Sequence, residues 1–324
     1  MPAQDLPGAV VVSGSANLPA LLSGCVVAIG NFDGVHRGHM AVIAKAMELA
    51  AANGRRAIAL TFEPHPRTFF RPDHPVFRLT PEREKCRLLL DCGFDGVVVE
   101  IFGAGFADVT ADDFVNRILA KELRASHVVA GHDFHFGKGR AGTPQFLRDQ
   151  GAAAGMGVTL VEPFCDEAGE VISSSRIRRC LGSGDVRAAN ALLGRSWSVS
   201  GTVIHGKKLG RTLGYSTDNL LLPAENRLAH GIYAVEVRRA DGSLHQGVAS
   251  FGRRPTFDNG EALLETFIFD FSGDLYGEDI AVIFHGFLRG EEKFDSVEAL
   301  VAQMDRDSAQ ARALLASSNS GFIR

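Results

Sequence analysis

The sequence predicts two parts, an α/β doubly wound parallel sheet followed by a small antiparallel β-barrel domain with a C-terminal helix. Three observations predict this fold class. Apolar strand-like runs alternate with helix-like segments in the first half, short strands with turn residues follow from about Trp197, and apolar residues recur at helical spacing near the end. A length of 324 residues is enough for two domains. We place the predicted boundary after residue 184, which gives domains 1–184 and 185–324.

The elements of the first half follow the pattern of a doubly wound sheet. Its predicted strands are apolar on both faces, as in parallel sheets covered by helices; they are Val26–Ile29, Ala57–Phe62, Gly96–Ile101, His127–Ala130 and Val158–Val161. The predicted helices lie near Met40–Ala52, Glu82–Cys92, Ala111–Leu123 and Thr143–Ala154. Thr110 and Asp113 resemble a capping box at the start of the third helix, with Asp in place of the usual Glu. Ligands of such folds bind at the carboxyl ends of the strands.

The second half reads as short strands and tight turns. Two predicted hairpins pair Ile232–Arg238 with Gln246–Phe251 and Leu263–Phe271 with Ile280–Leu288. Closely spaced strands of this kind favour a small barrel. The end of the chain is predicted to be helical, with Asp295 and Glu298 in a capping box.

The composition is that of an ordinary globular protein, with 45% hydrophobic and 22% charged residues. A formal net charge of −4 gives no general affinity for nucleic acid or acidic membranes. Five scattered cysteines without a Cys-x-x-Cys pair favour free thiols in a reducing cytosol. No apolar run approaches the length of a membrane span, and the N-terminus does not resemble a secretory signal. We therefore expect a cytoplasmic protein that binds neither nucleic acid nor membrane.

The most informative segment is residues 30–39, Gly-Asn-Phe-Asp-Gly-Val-His-Arg-Gly-His, between the first predicted strand and the first predicted helix. Its glycines allow a ligand to approach the backbone closely, and the helix N-terminus offers N–H groups and a positive dipole to an anion. His36 and His39 are three residues apart and share a helix face. Imidazole can donate hydrogen bonds to a phosphate and can carry positive charge. The segment predicts a phosphate site. Two simpler interpretations are histidines that cap a helix and half of a zinc site, although further zinc ligands are missing.

Three later segments follow predicted strands and can converge on this motif: Thr61–Pro66, Gly131–Gly137 and Ile172–Arg178. Each has an ordinary explanation as well. The first can be a simple loop, Phe134 and Phe136 can be core residues, and the serines can cap a helix. Four motifs in this order nevertheless favour one functional site. The sequence has no Gly-x-x-x-x-Gly-Lys-Ser/Thr loop, which argues against P-loop NTPases.

A second phosphate-binding signature lies in the other half. Residues 205–220 read His-Gly-Lys-Lys-Leu-Gly-Arg-Thr-Leu-Gly-Tyr-Ser-Thr-Asp-Asn-Leu. Glycines beside Lys and Arg can cradle phosphates. Thr217 and Asn219 offer hard oxygen ligands suited to Mg²⁺.

With these motifs the chain resembles the bacterial bifunctional riboflavin kinase/FAD synthetase family over about residues 20–310. Gly-x-Phe-Asp-Gly-Val-His-x-Gly-His is similar to that family's nucleotidyltransferase signature, and residues 210–219 resemble its flavokinase motif Gly-Arg-x-Leu-Gly-x-Pro-Thr-Ala-Asn. The resemblance implies an FMN adenylyltransferase (nucleotidyltransferase) domain followed by a riboflavin kinase barrel. Such an enzyme uses ATP and Mg²⁺ twice, to make FMN from riboflavin and FAD from FMN. In the second reaction a phosphate oxygen of FMN attacks the α-phosphorus of ATP and pyrophosphate leaves.

The resemblance also implies roles for single residues. The implied catalytic residues are His36, His39, Arg176 and Glu265, of which Glu265 accepts the proton of the riboflavin 5′-hydroxyl. The residues implied to bind substrates are Gly30, Phe32, Asp33, Gly34, Gly38, His65, Asp133, Ser174, Ser175, Gly210, Arg211, Gly214 and Arg254. Thr217 and Asn219 are implied to hold the metal. The phosphate-binding arginine is one of Arg176, Arg178 and Arg179.

The kinase half departs from the family pattern at four positions. Ser216, Asp218, Ser250 and Phe267 stand where Pro, Ala, Asn and His are usual. We favour an active kinase, and the alternative is an FAD synthetase with an impaired or regulatory barrel. Other rivals are a nucleotidyltransferase of another substrate and a non-enzymatic flavin-binding regulator. The barrel motifs oppose the first rival, and the retained His36, His39 and Glu265 oppose the second. The oligomeric state is not predicted.

Overall fold

The computed structural model describes residues 9–204, 217–253 and 262–318. The chain divides into two compact units, Met1–Ser174 and Ser175–Arg324. The sequence predicted the domain boundary after residue 184. That assignment of domains stays a prediction. Within the described ranges, no helix is long and apolar enough to cross a membrane.

The first unit is built on a six-stranded parallel sheet with the strand order β1-β4-β3-β2-β5-β6. Its strands are β1 (Val10–Ser13), β2 (Val26–Ile29), β3 (Ala57–Glu63), β4 (Gly96–Ile101), β5 (His127–Gly131) and β6 (Gly157–Val161). The chain proceeds from β2 toward one edge through β3 and β4, then returns to the other side of β2 as β5. This reversal is the topological switch point, and the crevice at the carboxyl ends of β2 and β5 is where a doubly wound sheet binds its ligand. The doubly wound parallel sheet is thereby confirmed, and β1 is a strand that the sequence did not predict.

Alternate residues of the strands enter two hydrophobic cores, one on each face of this sheet. Val27 and Ile29 of β2 lie in one core, and Val26 and Ala28 lie in the other. All four residues are at most 2% exposed. Burial on both faces explains why the strands are apolar runs rather than alternating ones.

The helices of the first unit cover both faces of the sheet. They are α1 (Arg37–Ala52), α2 (Pro66–Phe70), α3 (Glu82–Asp91), α4 (Ala104–Ala107), α5 (Ala111–Asp113), a π-helix (Phe114–Glu122) and α6 (Pro144–Ala153), with short 3₁₀ turns at Ser15–Asn17, Ala20–Leu22 and Lys138–Arg140. The Thr110 hydroxyl accepts a hydrogen bond from the Asp113 N–H (3.0 Å), so the predicted cap is present. After this α-helical turn the predicted third helix continues in the wider π form.

The second unit contains a six-stranded antiparallel sheet in the order β7-β12-β9-β10-β11-β8. Its strands are β7 (Ser198–Thr202), β8 (Thr217–Leu221), β9 (Gly231–Arg238), β10 (Leu244–Arg253), β11 (Ala262–Ile268) and β12 (Asp279–Arg289). The Ile204 N–H donates to the Asn219 carbonyl (2.9 Å), which brings the two ends of the sheet together into a nearly closed barrel. The predicted hairpin of β9 and β10 is confirmed. The second predicted hairpin is wrong, because β11 pairs with β10 and β8, whereas β12 pairs with β9 and β7.

In the described part of the second unit, the helices are α7 (Ser174–Gly182), which begins at the division between the units, α8 (Val186–Leu193) and α9 (Val297–Ser318). Ala311 and Leu315 of α9 pack against Ala234 of the barrel wall, so the predicted C-terminal helix is confirmed. Its cap differs from the prediction. The Ser296 hydroxyl accepts the Ala299 N–H (3.1 Å), one residue after the expected Asp295.

Candidate active sites

The turn that leaves β2 has an unusual backbone. Phe32, Gly34 and Val35 all have positive φ angles, of 48°, 93° and 39°. A β-branched residue such as valine rarely adopts this region, and such conformations persist only where the surroundings enforce them. At the start of the turn, the Gly30 N–H donates to the Leu60 carbonyl of β3 (3.1 Å).

The buried side chain of Asp33 holds this turn in place through hydrogen bonds. Its side chain is 1% exposed, and its carboxylate accepts the backbone N–H groups of Leu79 and Thr80, both at 3.0 Å. The Thr80 hydroxyl in turn accepts the Gly34 N–H (3.0 Å). Asp33 and Gly34, two of the predicted substrate-binding residues, thus have structural partners that fix the turn.

His36 and His39 lie at the end of the turn and form the start of α1. The His36 Nδ1 accepts the His39 N–H, and the His39 Nδ1 accepts the His36 N–H, both at 3.3 Å. Their rings stack with centroids 3.6 Å apart and an interplanar angle of 17°. Phe32 is buried and touches the His39 ring edge-on, with centroids 5.4 Å apart. The predicted closeness of the two histidines is therefore confirmed, and so is the simpler interpretation that they cap the helix. Because His36 is the cap, α1 begins at Arg37, three residues before the predicted Met40.

Close packing surrounds the pair. A Cβ placed on Gly38 would lie 2.9 Å from the Ile172 carbonyl oxygen and 3.1 Å from the His36 ring. Two residues after Ile172, the Ser174 hydroxyl donates to the Asp33 carbonyl (2.9 Å). The segment before α7 therefore lies directly against the histidine motif, and Gly38 makes this approach possible.

The ends of the neighbouring strands bring two further predicted residues to the same edge of the sheet. His65 follows β3, is 7% exposed and caps α2 by accepting the Arg67 N–H at Nδ1 (3.1 Å). Asp133 follows β5, on the other side of β2, and is exposed. Of the two phenylalanines after β5, Phe136 is buried in the core, and Phe134 stacks on it with centroids 5.4 Å apart.

A buried ion network behind the turn was missed by the sequence analysis. Arg78 forms a bidentate pair with Glu63, with N–O distances of 2.5 and 2.6 Å. The Lys85 ammonium lies 2.6 Å from the same carboxylate and is 1% exposed. Burial alone raises the pKa of Glu63, but the hydrogen bonds and charges of Arg78 and Lys85 outweigh it and hold the pKa below its usual value. The available sequence signal was a lysine on the apolar face of α3, beside Cys86 and one turn before Leu89.

Ser175 and Arg176 stand in the first turn of α7, on the second-unit side of the division. Arg178 and Arg179 follow on the same helix. The choice among the three arginines stays a prediction.

In the barrel, Glu265 of β11 is flanked by two polar residues. Asn219 of β8 is its partner on one side, and Ser250 of β10 is its partner on the other. Directly opposed residues of antiparallel strands present their side chains on the same face. Asn219 is 1% exposed, and Glu265 is half-buried. A carboxylate, an amide and a hydroxyl therefore form one polar row across three strands.

Several predicted residues lie outside the described residues, namely Gly210, Arg211, Gly214, Ser216 and Arg254, and so does the side chain of Thr217. Their predicted roles stay predictions.

The fold defines a class of protein, in which a doubly wound parallel-sheet domain precedes a small antiparallel β-barrel. The sequence model of the FAD synthetase family matches residues 18–176, and that of riboflavin kinase matches residues 193–315. A bifunctional riboflavin kinase/FMN adenylyltransferase from Escherichia coli K12 is 40% identical over 89% of this chain and 92% of its own length. The one from Pseudomonas fluorescens is also 40% identical, over 95% and 98%. The chain belongs to the bifunctional riboflavin kinase/FMN adenylyltransferase family.

A solved structure agrees in fold. A protein from Streptococcus pneumoniae, described as a macrolide-efflux protein, has a TM-score of 0.84 and 33% identity, over 94% of this chain and 99% of its own. Both units of the present chain therefore have their counterpart in one known architecture.

Proposed function

We propose that the first unit adenylylates FMN and that His36 and His39 act there as neutral hydrogen-bond donors through Nε2. The observation that carries this proposal is the reciprocal cap, in which each Nδ1 accepts a backbone N–H. A neutral imidazole has one protonated nitrogen, so the proton of each ring is assigned to Nε2. The chain makes FMN from riboflavin and FAD from FMN, as its family membership and its two domains indicate.

The reaction needs no strong general base. A phosphate oxygen of FMN forms a bond to the α-phosphorus of ATP, while the bond from that phosphorus to the bridging oxygen breaks and pyrophosphate leaves. Because the nucleophile is already an anion, the main obstacles are bringing two anions together and stabilising the leaving group. The donors at the start of α1 and the positive end of its dipole meet this demand.

The stacked arrangement makes the neutral form of the histidines important. A proton added to either Nδ1 would remove an acceptor of the reciprocal cap, and it would place a charge 3.6 Å from the neighbouring ring. We infer that the pair works as two fixed N–H donors rather than as imidazolium ions. Preorganised donors of this kind stabilise developing charge without reorganising during the reaction.

For the barrel we propose that Glu265 accepts the proton of the riboflavin 5′-hydroxyl as that oxygen attacks the γ-phosphorus of ATP. Its support is the position of Glu265 opposite the buried Asn219. Amide, hydroxyl and carboxylate oxygens are ligands that Mg²⁺ prefers, so the donor set fits this ion. Asn219 and Thr217 would hold it, and when bound it neutralises charge on the ATP phosphates.

Three of the four departures from the family pattern, Asp218, Ser250 and Phe267, lie within the described residues, and none of the three displaces this polar row. Ser250 keeps a hydroxyl opposite Glu265. Phe267 packs against Phe269, with ring centroids 5.9 Å apart, and belongs to the cluster beneath α9. Asp218 is opposite Thr266, on the other face of the strands from Glu265. These positions favour an active kinase over an impaired or regulatory barrel.

The test is to incubate the purified full chain with riboflavin, ATP and Mg²⁺ and to separate the flavins by chromatography. We expect both FMN and FAD. FAD formed only from added FMN would establish the impaired barrel, and the formation of neither product would refute the proposal.

Single variants assign the two sites. With FAD formation measured from added FMN and FMN formation measured from riboflavin, we expect His39→Ala to block only the first reaction and Glu265→Ala to block only the second. Loss of both activities in either folded variant would contradict two separate sites.

A further inference from the structure

We propose that Lys85 is a positioning residue for adenylyl transfer, acting through the Asn31 carbonyl and the Glu63 carboxylate on the turn that carries the histidine motif. This inference rests on the proposed function of the first unit. Lys85 lies on α3, behind the sheet edge at which the predicted ligand-binding motifs meet.

The ammonium of Lys85 has a complete set of partners. Its Nζ lies 2.6 Å from Glu63 Oε1 and 3.3 Å from each of the carbonyl oxygens of Asn31 and Phe62. A lysine ammonium has three N–H donors. Each N–H of the Lys85 ammonium therefore has an acceptor, and the residue is 1% exposed. Lys85 is a buried cation of the structure rather than a surface side chain.

These acceptors belong to the two segments whose alignment matters for the reaction. Asn31 is two residues past the end of β2, and Phe62 and Glu63 end β3. The ammonium therefore ties the carboxyl ends of two neighbouring parallel strands together. The Thr61 hydroxyl supports the same alignment by donating to the Asn31 carbonyl (3.1 Å).

A second chain of contacts runs from the same carboxylate to the turn. Glu63 holds Arg78, whose guanidinium donates to the Thr80 carbonyl (3.2 Å) and lies 3.7 Å from Asp33 Oδ1. Thr80 accepts the Gly34 N–H. Glu63 thus fixes the turn from two sides, through Lys85 at Asn31 and through Arg78 at Gly34. The turn needs such support, because Phe32 and Val35 have left-handed backbone conformations.

Stability alone does not account for a charge at this position. Burial lowers the pKa of Lys85, because it disfavours the charged form. The carboxylate of Glu63 raises this pKa, but the effect of burial is larger and the pKa stays below its usual value. Replacing a buried ion network by apolar side chains of similar volume is often neutral or stabilising. A lysine here therefore contributes something that a methionine would not, namely a fixed position for two backbone carbonyls.

The test compares three full-length variants in both reactions. Lys85→Met removes the ammonium and keeps most of the volume. Arg87→Met is the matched control, because Arg87 is a cation of the same helix whose side chain is 47% exposed and forms ion pairs with Glu84 and Asp91. The double variant Glu63→Gln/Lys85→Met removes both charges of this pair and leaves the Arg78 guanidinium with Asp33, 3.7 Å away, as its nearby carboxylate. Riboflavin kinase activity reports in each case that the remainder of the chain is folded.

We expect Lys85→Met to lower kcat for FMN adenylylation by about 10- to 100-fold, the order of loss that misplaced reacting groups produce. KM for ATP should change much less, and kinase activity should equal that of Arg87→Met. The double variant should remain slow, because the Asn31 and Phe62 carbonyls still lack the hydrogen bonds from the Lys85 ammonium.

Three results would overturn the inference. One is a kcat for Lys85→Met equal to that of the control. Another is recovery of wild-type kcat in the double variant, which would mean that Lys85 only balances the charge of Glu63 and does not position the turn. The last is unfolding of the first unit in both variants, seen by thermal melting, which would give Lys85 a purely stabilising role. Failure of the wild-type chain to form FAD would instead refute the proposed function.

Discussion

Replacing Gly38 by alanine adds one methyl group at the most closely packed point of the histidine motif. The new Cβ would lie 2.9 Å from the Ile172 carbonyl oxygen and 3.1 Å from two atoms of the His36 ring. Alanine has the higher intrinsic helix propensity, so replacing a helical glycine by alanine carries no propensity penalty. Any loss on this substitution must therefore come from these contacts.

The size of the effect follows from the same distances. Contact with Ile172 must open from 2.9 Å to at least 3.4 Å, a shift of about 0.5 Å. Overpacking costs about 1 to 3 kcal/mol, so we expect a loss of stability of this order. A misplacement of about 1 Å can cost about 100-fold in rate, so half that shift predicts a loss of about 10-fold in adenylylation.

The assay is pyrophosphate release from ATP and FMN, with FMN formation from riboflavin measured on the same sample. Gly105→Ala is the matched control, because a Cβ on this α4 residue meets no atom within 4 Å. We expect normal kinase activity in both variants and slow adenylylation in Gly38→Ala alone. Adenylylation in Gly38→Ala within about twofold of the control would refute the steric argument, since the predicted loss is about 10-fold.

Three more predictions concern the first unit. Iodoacetamide should modify the exposed Cys165 much faster than the buried Cys25 and Cys86, because burial raises the pKa of Cys25 to about 12 and that of Cys86 to about 11. Mass spectrometry of the folded chain measures the three labelling rates, and equal rates would contradict this. Since its partners hold the pKa of Glu63 below the usual value, its contribution to stability is present above the unfolded pKa of about 4.3 and is lost as the pH falls through the folded pKa. Melting temperatures measured from pH 6 downward should therefore fall less steeply in Glu63→Gln than in the wild type, and identical slopes would refute this. Asp33→Ala leaves two buried N–H groups without their acceptor and should lower the stability of the unit by about 2 to 4 kcal/mol in thermal melts, whereas Asp33→Asn, which keeps one acceptor oxygen, should lose less.

Local patterns in the sequence account for the parts of the fold that were predicted correctly. The apolar run Val26–Ile29 reads as a buried strand because every one of its residues packs in a core. His36 and His39 were expected to meet because a spacing of three is one helical turn, and their rings stack.

The errors arise where pairing depends on distant parts of the chain. The second hairpin was predicted because neighbouring strands in sequence often pair, yet β12 returns to β9. The ion network was missed for the same reason, since Lys85 reaches Asn31 across 54 residues of sequence. A charged residue on an apolar helix face indicates that such a partner exists, but it does not identify the partner.

The edge strand β1 has a consequence for how the chain is made. Val10 pairs with Gly96, so this strand is synthesised 86 residues before β4, the strand with which it pairs. Long-range parallel pairing of this kind forms late, and until it forms the outer edge of β4 exposes unpaired backbone groups to other chains. Shortening the chain up to Ser13 should leave the histidine turn intact and yet promote aggregation during expression. We therefore expect these four residues to contribute more to keeping nascent molecules apart than to the chemistry at the carboxyl ends of β2 and β5.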